Sequence, residues 1–302
     1  MRVSVIVPVY KAEEYIETCV RSLMAQTYPD IEYIFVDDGC PDRTVEILQE
    51  LLKISENRPA RVLHKANGGP SQARLAGLKE ASGDYVLFVD ADDWVEADIV
   101  ERLSRAVMQN GADMAYCQVV NETARGQYVS KDPEHTSCRE AARAILQMRM
   151  HGYMCNKLIR RSLLGPELFY PTLNMHEDLV VLCQSLFYGG NCVMVPLPLY
   201  HYRRTSVASL SQEGKRKRDA VSARVFLQLY EWWKDRIDGS PIEGMEPYIL
   251  VRCAWLAWKN DKTIFREYPY LAPAAARVPV SLDIPVKLYR QLILKRVLRK
   301  GF

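Results

Sequence analysis

The sequence predicts an α/β protein in which a mainly parallel sheet is flanked by helices and followed by a C-terminal helical extension. Three observations carry that expectation. Short apolar runs alternate with helical patterns over the first 120 residues; polar clusters fall directly after the runs; and from Ser211 onward only helical spacing is seen. Strands joined by helix-length connections need crossovers, which make neighbouring strands parallel and cover both faces of the sheet.

The elements follow in order. Val3 to Val9 is an unbroken apolar run and reads as a buried strand. Glu13 to Gln26 reads as a helix with Ile16, Val20, Leu23 and Met24 on one side. Ile31 to Val36 is a second strand, and Pro41 to Ile54 a helix with Val45, Leu48, Leu51 and Leu52 inward. Arg61 to His64, Pro70 to Ser82, Tyr85 to Val89 and Glu96 to Val107 continue as strand, helix, strand and helix. Met114 to Val120 is again β-rich, and the polar stretch Asn121 to Pro133 is a loop or hairpin. Arg139 to Met150 and Asp178 to Phe187 are helical, while Cys192 to Tyr200 is an apolar strand interrupted by Pro196 and Pro198. Val225 to Trp233 and Tyr248 to Trp258 are aromatic helical segments. The pattern divides the chain into residues 1–120, 121–210 and 211–302.

Of 302 residues, 48% are hydrophobic and 25% charged, which is ordinary for a globular protein and argues against disorder and against coating nucleic acid. The net charge of +3 is unevenly placed. Residues 285–302 hold six basic side chains (Lys287, Arg290, Lys295, Arg296, Arg299 and Lys300) and no acid, leaving 34 basic against 37 acidic residues elsewhere. Such a segment is basic enough to meet an anionic membrane surface. The eight cysteines form no CxxC pair, so neither a zinc ribbon nor a disulfide framework is expected. No run reaches the roughly 18 to 20 apolar residues of a membrane span, and the first apolar run lacks a signal-peptide cleavage site. The expected location is the cytoplasm, peripheral to the inner face of the plasma membrane if the basic segment binds lipid.

Ligands of parallel sheets sit at the carboxyl ends of the strands, where the polar clusters occur. Asp90-Ala91-Asp92-Asp93 offers hard oxygen ligands suited to Mg²⁺ or Mn²⁺ with a substrate diphosphate. A calcium-hand loop is excluded, because Trp94 and Val95 stand where it needs an oxygen ligand and a glycine. The competing reading makes Asp92 or Asp93 the N-cap of the helix that Glu96 opens. Asp37-Asp38-Gly39 can accept hydrogen bonds from a base or a ribose, or can be a turn in which Gly39 supplies a permissive angle and Asp42 caps the next helix. Lys65-Ala66-Asn67-Gly68-Gly69 can cradle an anion or be a simple loop. Neither a GxGxxG fingerprint nor a GxxxxGK[ST] loop occurs, which disfavours nicotinamide enzymes and P-loop NTPases.

Taken together, Val3-Ser-Val-Ile-Val-Pro-Val-Tyr10, Val36-Asp-Asp-Gly39, Asn67-Gly-Gly with Ala73-Arg74, Gly83-Asp-Tyr85 and Asp90-Ala-Asp-Asp93 resemble the family 2 glycosyltransferases of the GT-A fold. The likeness extends through Asn156-Lys157-Leu158, His176-Glu177-Asp178 and Tyr200-His-Tyr-Arg-Arg204. The resemblance implies a Rossmann-like GT-A domain that moves a hexosyl or N-acetylhexosaminyl group, with inversion, from a nucleotide-sugar to a glycan or lipid-linked acceptor. It places Pro8, Val9, Tyr10 and Asp38 at the nucleotide, usually uridine, and Asp90 and Ala91 at the ribose and sugar. Asp92 of the DXD motif would hold Mn²⁺ or Mg²⁺, with Lys65 or Arg74 on the phosphate side. Asp178 would be the general base, against a competing reading as N-cap of the helix that follows. Glu177 would orient the base or the acceptor, and Lys157, Arg203 and Arg204 resemble acceptor or phosphate positions. Cys40 and Leu75 depart from the Ser and Asn the family commonly has. Two other classes remain: a metal-dependent nucleotidyltransferase, for which Pro8-Val9-Tyr10-Lys11 lacks the expected glycine-rich loop, and a non-catalytic nucleotide-sugar-binding partner of another transferase.

Overall fold

The computed structural model describes residues 1–54, 58–147, 149–168, 170–171, 176–204, 215–236 and 246–277. The basic segment 285–302 lies outside the described residues, and the side chains of the Lys215 to Arg218 cluster are likewise not described.

The alternation read from the sequence forms one sheet. Its first half consists of β1 (Val3–Val9), β2 (Ile31–Asp37), β3 (Ala60–His64) and β4 (Tyr85–Phe88), in the order β3-β2-β1-β4 and all parallel. The connecting helices are α1 (Ile16–Met24), α2 (Thr44–Ile54) and α3 (Pro70–Glu80). Period-2 geometry sends Val3, Val5, Val7 and Val9 into one core layer, against Ile16, Val20 and Leu23, while Ile6 faces the other. Both faces are covered, which is why these strands read as continuous apolar runs.

The second half adds β5 (Trp94–Val95), α4 (Ile99–Asn110), β6 (Met114–Thr123), β7 (Gly126–Ser130), α5 (Cys138–Leu146), β8 (Lys157–Arg160), α6 (Glu177–Tyr188) and β9 (Cys192–Arg203). β8 inserts antiparallel between β4 and β6, β9 lies parallel to β6, and β5 pairs antiparallel with β9. The polar stretch after Val120 is the β6–β7 hairpin. Strands β1, β2, β3, β4, β6 and β9 therefore run one way and β5, β7 and β8 the other, a mainly parallel sheet flanked by helices as expected.

Two short strands were not legible. Trp94–Val95 and Lys157–Arg160 are too brief to show a period, and they exist because longer strands pair with them. A register shift accommodates Pro196. Cys117 pairs Val195 while Gln118 pairs Pro198, so Pro196 and Leu197 drop out of the ladder, where the missing N–H of Pro196 costs nothing, and Pro198 stays in it.

The extension contains α7 (Lys215–Trp233), α8 (Glu246–Asn260), α9 (Ile264–Glu267) and α10 (Leu271–Arg277), as its helical spacing predicts. Phe226, Leu229, Trp233, Ile249 and Cys253 join the core layer of α3, α5 and α6. Among the described residues no helix is long and apolar enough to cross a membrane.

Candidate active site

The carboxyl ends of β1, β2 and β4 bring the polar clusters to one edge. After β2, Asp37 is tied locally: its Oδ1 accepts from the Cys40 N–H at 2.8 Å and its Oδ2 meets His64 Nδ1 at 3.0 Å. Burial pushes Asp37 up, but those hydrogen bonds outweigh it and hold the carboxyl below its ordinary range. Asp38, 3% exposed, organises the neighbouring loop instead. Its Oδ1 accepts from the Gly68 N–H at 2.9 Å and from Lys65 Nζ, and its Oδ2 from the Gly69 N–H at 2.8 Å. Gly39, at φ +73, allows the close approach, since a Cβ there would stand 3.1 Å from the Asn67 nitrogen. Asp42 does cap the next helix, accepting from Thr44 Oγ1 at 2.6 Å.

The Lys65 ammonium is engaged by Asp38 and by the Ala66 carbonyl at 2.6 Å and braces the loop. At the end of β1, Val9 is fully buried and presents only backbone, its carbonyl accepting from the Asp38 N–H at 3.0 Å. Pro8 is half-buried, and Tyr10, 43% exposed, is the large side chain facing out beside it.

Asp90 to Asp93 form a tight turn, closed by the Asp93 N–H on the Asp90 carbonyl at 3.1 Å. The turn leads into β5, and α4 begins only at Ile99, preceded by Asp98; neither Asp92 nor Asp93 caps it. The cap reading is thereby overturned, because the two-residue strand separates the turn from the helix. Asp93 is buried, accepting from Tyr200 OH at 2.7 Å and from the Arg203 N–H at 2.8 Å. Tyr200 OH also accepts from the Asp90 N–H at 3.2 Å, so β9 clamps the turn from behind. Ala91 is buried between the half-buried Asp90 and Asp92.

Arg74 on α3 is the centre of the site. Its side chain is 6% exposed, and its guanidinium reaches Asp90 Oδ1 at 2.7 Å, Glu177 Oε1 at 3.3 Å and Asp178 Oδ1. One cation thus joins the turn after β4 to the first turn of α6. The three carboxylates accept from its two terminal nitrogens, and its Nε is buried without a partner among the described residues. The N-cap reading of Asp178 also fails. The cap position is His176, in a left-handed conformation at φ 56, and the Asp178 carboxylate points to Arg74 and to the Met154 N–H, 3.5 Å from Oδ2.

Burial pushes Asp178 up, and although Arg74 pulls it back, Glu177 and Asp90 share that same cation and add their repulsion; the carboxyl is raised to about 7. Asp93 is likewise raised, by burial first and then by Asp92 and Asp90. Cys19 and Cys155, buried beside these groups, are raised for the same reasons.

Among the described residues no group of three or more His, Cys, Asp or Glu side chains forms a ready-made metal cage. The donor set nevertheless fits a hard divalent cation, because such ions bind through one or two carboxylates completed by substrate phosphate oxygens. Burial and the neighbouring Asp92 and Asp90 raise Asp93, so negative charge is gathered at this turn. The Asp93 carboxylate is occupied by Tyr200 and the Arg203 N–H.

The remaining expected residues separate. Glu177 sits beside Asp178 and shares Arg74. Lys157 is 0% exposed, its Nζ donating to Asn156 Oδ1 at 2.7 Å and the His151 carbonyl at 3.2 Å. Arg203 gives its backbone to Asp93, and its guanidinium lies over Tyr15, 5.0 Å from the ring centre. His201 stacks on Trp94 at 3.4 Å and bonds Glu96, inside the β5–β9 pairing. Sequence reasoning missed Tyr200 and the Met154 N–H, for which no local signal exists.

Comparison with known proteins adds four findings. The family model described as "Glycosyl transferase family 2" matches residues 4–165. The "Putative glycosyltransferase EpsH" of Bacillus subtilis (strain 168) is 33% identical over 224 residues, which are 71% of this chain and 64% of that protein. The chain therefore spans a little under two thirds of that relative. A crystal structure of S. aureus TarS 1-349 in complex with UDP-GlcNAc superposes with TM-score 0.70 at 20% identity, over 100% of this chain and 92% of that one. The mannosyltransferase PcManGT from Pyrobaculum calidifontis, in complex with GDP-Man and Mn²⁺, gives TM-score 0.59 at 17% identity, over 99% of this chain and 88% of that one. These two share the fold seen here.

Proposed function

The chain belongs to glycosyl transferase family 2, and on that premise we propose that it transfers a sugar, with inversion, from a nucleotide-sugar to an acceptor hydroxyl in polysaccharide synthesis. The observation that carries the reading is the meeting of Asp90, Glu177 and Asp178 on Arg74, which brings the donor end of the sheet and a raised carboxylate into one site.

Asp178 is the general base. Its Oδ1 is pinned by Arg74, whereas Oδ2 has only the long contact from Met154, and Oδ2 takes the proton of the acceptor hydroxyl as that oxygen attacks the anomeric carbon. A base raised to about 7 is matched to neutral conditions, ionised often enough and basic enough to accept a proton. Arg74 fixes its position and keeps Glu177 and Asp90 beside it tolerable. Inversion needs one displacement and no covalent intermediate, so one such base is sufficient. Pro8, Tyr10 and the Asp38-organised loop form the nucleoside side, with Asp90 and Ala91 towards ribose and sugar. A divalent ion held at Asp92 would neutralise the diphosphate as it leaves with the bond's electrons.

UDP is the proposed nucleotide and GlcNAc or a hexose the proposed sugar, in line with the UDP-GlcNAc complex of the TarS fold relative; Mn²⁺ or Mg²⁺ is proposed in line with the Mn²⁺ complex of the mannosyltransferase. The acceptor is a glycan or lipid-linked saccharide, with residues 285–302 meeting an anionic membrane from the cytoplasmic side. A released-nucleotide screen of UDP-, GDP- and TDP-sugars tests the donor. Titration with UDP with and without Mn²⁺ tests the metal: affinity should rise with the ion, and Asp92→Ala should lose that rise. Failure of any nucleotide-sugar to turn over or bind would overturn the reading.

A further inference from the structure

Arg204 follows β9 and is exposed, yet its guanidinium is held. Its Cζ lies 5.7 Å from the centre of the Tyr202 ring and 5.9 Å from that of Tyr128. Nε donates to Asn121 Oδ1 at 2.8 Å. Asn121, 1% exposed, is itself anchored through Nδ2 donating to Ser130 Oγ at 2.7 Å. The Arg204 backbone N–H adds a bond to the Glu122 carbonyl at 2.9 Å. Two rings and a buried amide therefore fix the plane of the fork. Among the described residues no carboxylate pairs with it, unlike Arg74, whose two terminal nitrogens meet three.

The tyrosine under Arg204 belongs to a ladder. Tyr202 stacks on Tyr153 with centroids 5.7 Å apart, and Tyr153 on His151 at 5.1 Å. Backbone next to its rings reaches the active site: the Met154 N–H, beside Tyr153, lies 3.5 Å from Asp178 Oδ2, and the Arg203 N–H, beside Tyr202, donates to Asp93. Its outer end is the exposed Tyr128 on the β6–β7 hairpin.

We propose that Arg204 is the anion-binding end of the acceptor subsite, so that the acceptor is a glycan bearing an oxyanion, phosphate or carboxylate. This rests on the transferase reading given above. The terminal N–H groups of Arg204 grip the oxyanion in the plane that Tyr202, Tyr128 and Asn121 set, and the aromatic ladder carries the sugar between that anchor and Asp178. A planar fork suits the paired oxygens of phosphate or carboxylate, and fixing it beforehand lowers the ordering cost of binding.

The test uses the full chain and three probes that differ in one group: glucose 6-phosphate, glucuronic acid and glucose, followed by ligand-observed NMR with and without UDP. At least one anionic probe should bind about tenfold or more tightly than glucose, the worth of a charged hydrogen bond. Binding by the phosphate alone or by both anions tells the oxyanion's source. Arg204→Gln should bring the anions to the level of glucose, and Tyr128→Ala, at an exposed site, should weaken them about threefold by loosening the fork. Equal binding of glucose and both anions, or undiminished anion binding by Arg204→Gln, overturns the proposal. So does a loss of UDP affinity equal to the loss of anion affinity, which would assign the guanidinium to the donor. Failure of the unmodified chain to bind UDP sinks the transferase reading instead, while the sugar probes still decide on Arg204.

Discussion

The two ends of the one sheet each bury carboxylates and treat them in opposite ways. At the amino end, Glu32 in β2 accepts from Ser4 Oγ at 2.6 Å, the Ser82 N–H at 2.7 Å, Ser82 Oγ at 2.9 Å and the Gly83 N–H at 3.2 Å, with Arg2 and Arg61 nearby. Burial opposes its charge, but these donors prevail and hold Glu32 below the usual carboxylate range. At the carboxyl end, Asp90, Glu177 and Asp178 divide a single arginine, and Asp178 and Asp93 are raised. A carboxylate surrounded by donors is a tie between strands. One that shares too little positive charge remains basic, which is a chemical capacity and a structural cost together.

The contrast is most directly broken at Asp178. Asp178→Asn keeps the shape and removes the base, and kcat should fall by about 10² to 10⁴-fold in a released-nucleotide assay while UDP affinity holds. Retention of full activity would place the base elsewhere.

Arg74→Met attacks the same cluster through its cation. Leaving buried carboxylates unpaired costs about 3–5 kcal/mol, read as a lower midpoint in urea unfolding at neutral pH. The deficit should shrink on acidification. Without the arginine the folded-state pKa of Asp178 rises further above the unfolded one, so the folded state binds more protons and gains stability as pH falls through it.

Glu32→Gln tests the opposite end. It replaces an acceptor of charged hydrogen bonds and should cost about 1.5–3 kcal/mol of stability with kcat unchanged, since Glu32 lies away from the site. The stability that Glu32 contributes through its lowered pKa is present above its unfolded value and is lost as pH falls through the folded one, below the ordinary carboxylate range. An equal fall in kcat would show the two ends to be coupled.

The smallest effect separates the ends by pH alone. Because the base must be ionised, kcat/KM should rise about tenfold per pH unit below about 7 and level off above it, while stability changes through Glu32 occur in the acid range only. A flat profile from pH 5 to pH 8 would remove Asp178 from the rate-determining proton transfer.

Much of this was legible beforehand, and the reason differs by region. In β1 to β4 apolar periodicity is dense and each polar cluster is tied to the strand before it, so both the parallel sheet and the strand-end positions of Asp38 and Asp90 could be read locally. Further along, a two-residue strand at Trp94–Val95 has no period, and the Asp92 or Asp93 cap expected for α4 gave way to Asp98. The burial of Lys157 has no local sign in the sequence, because it comes from β8 lying between β4 and β6.

What the sequence determined by itself was the class of chain: alternating runs, carboxylates at strand ends, a likeness to one family, and a helical extension. Those properties reside in spacings of a few residues. The tertiary structure alone decided which charges meet. Arg74 reaches Asp90 across 16 residues, Glu177 across 103 and Asp178 across 104, and that convergence, together with burial, sets the raised Asp178 apart from the lowered Glu32. Protonation depends on burial and on neighbouring charge within a few ångström, and neither is a local property of the chain.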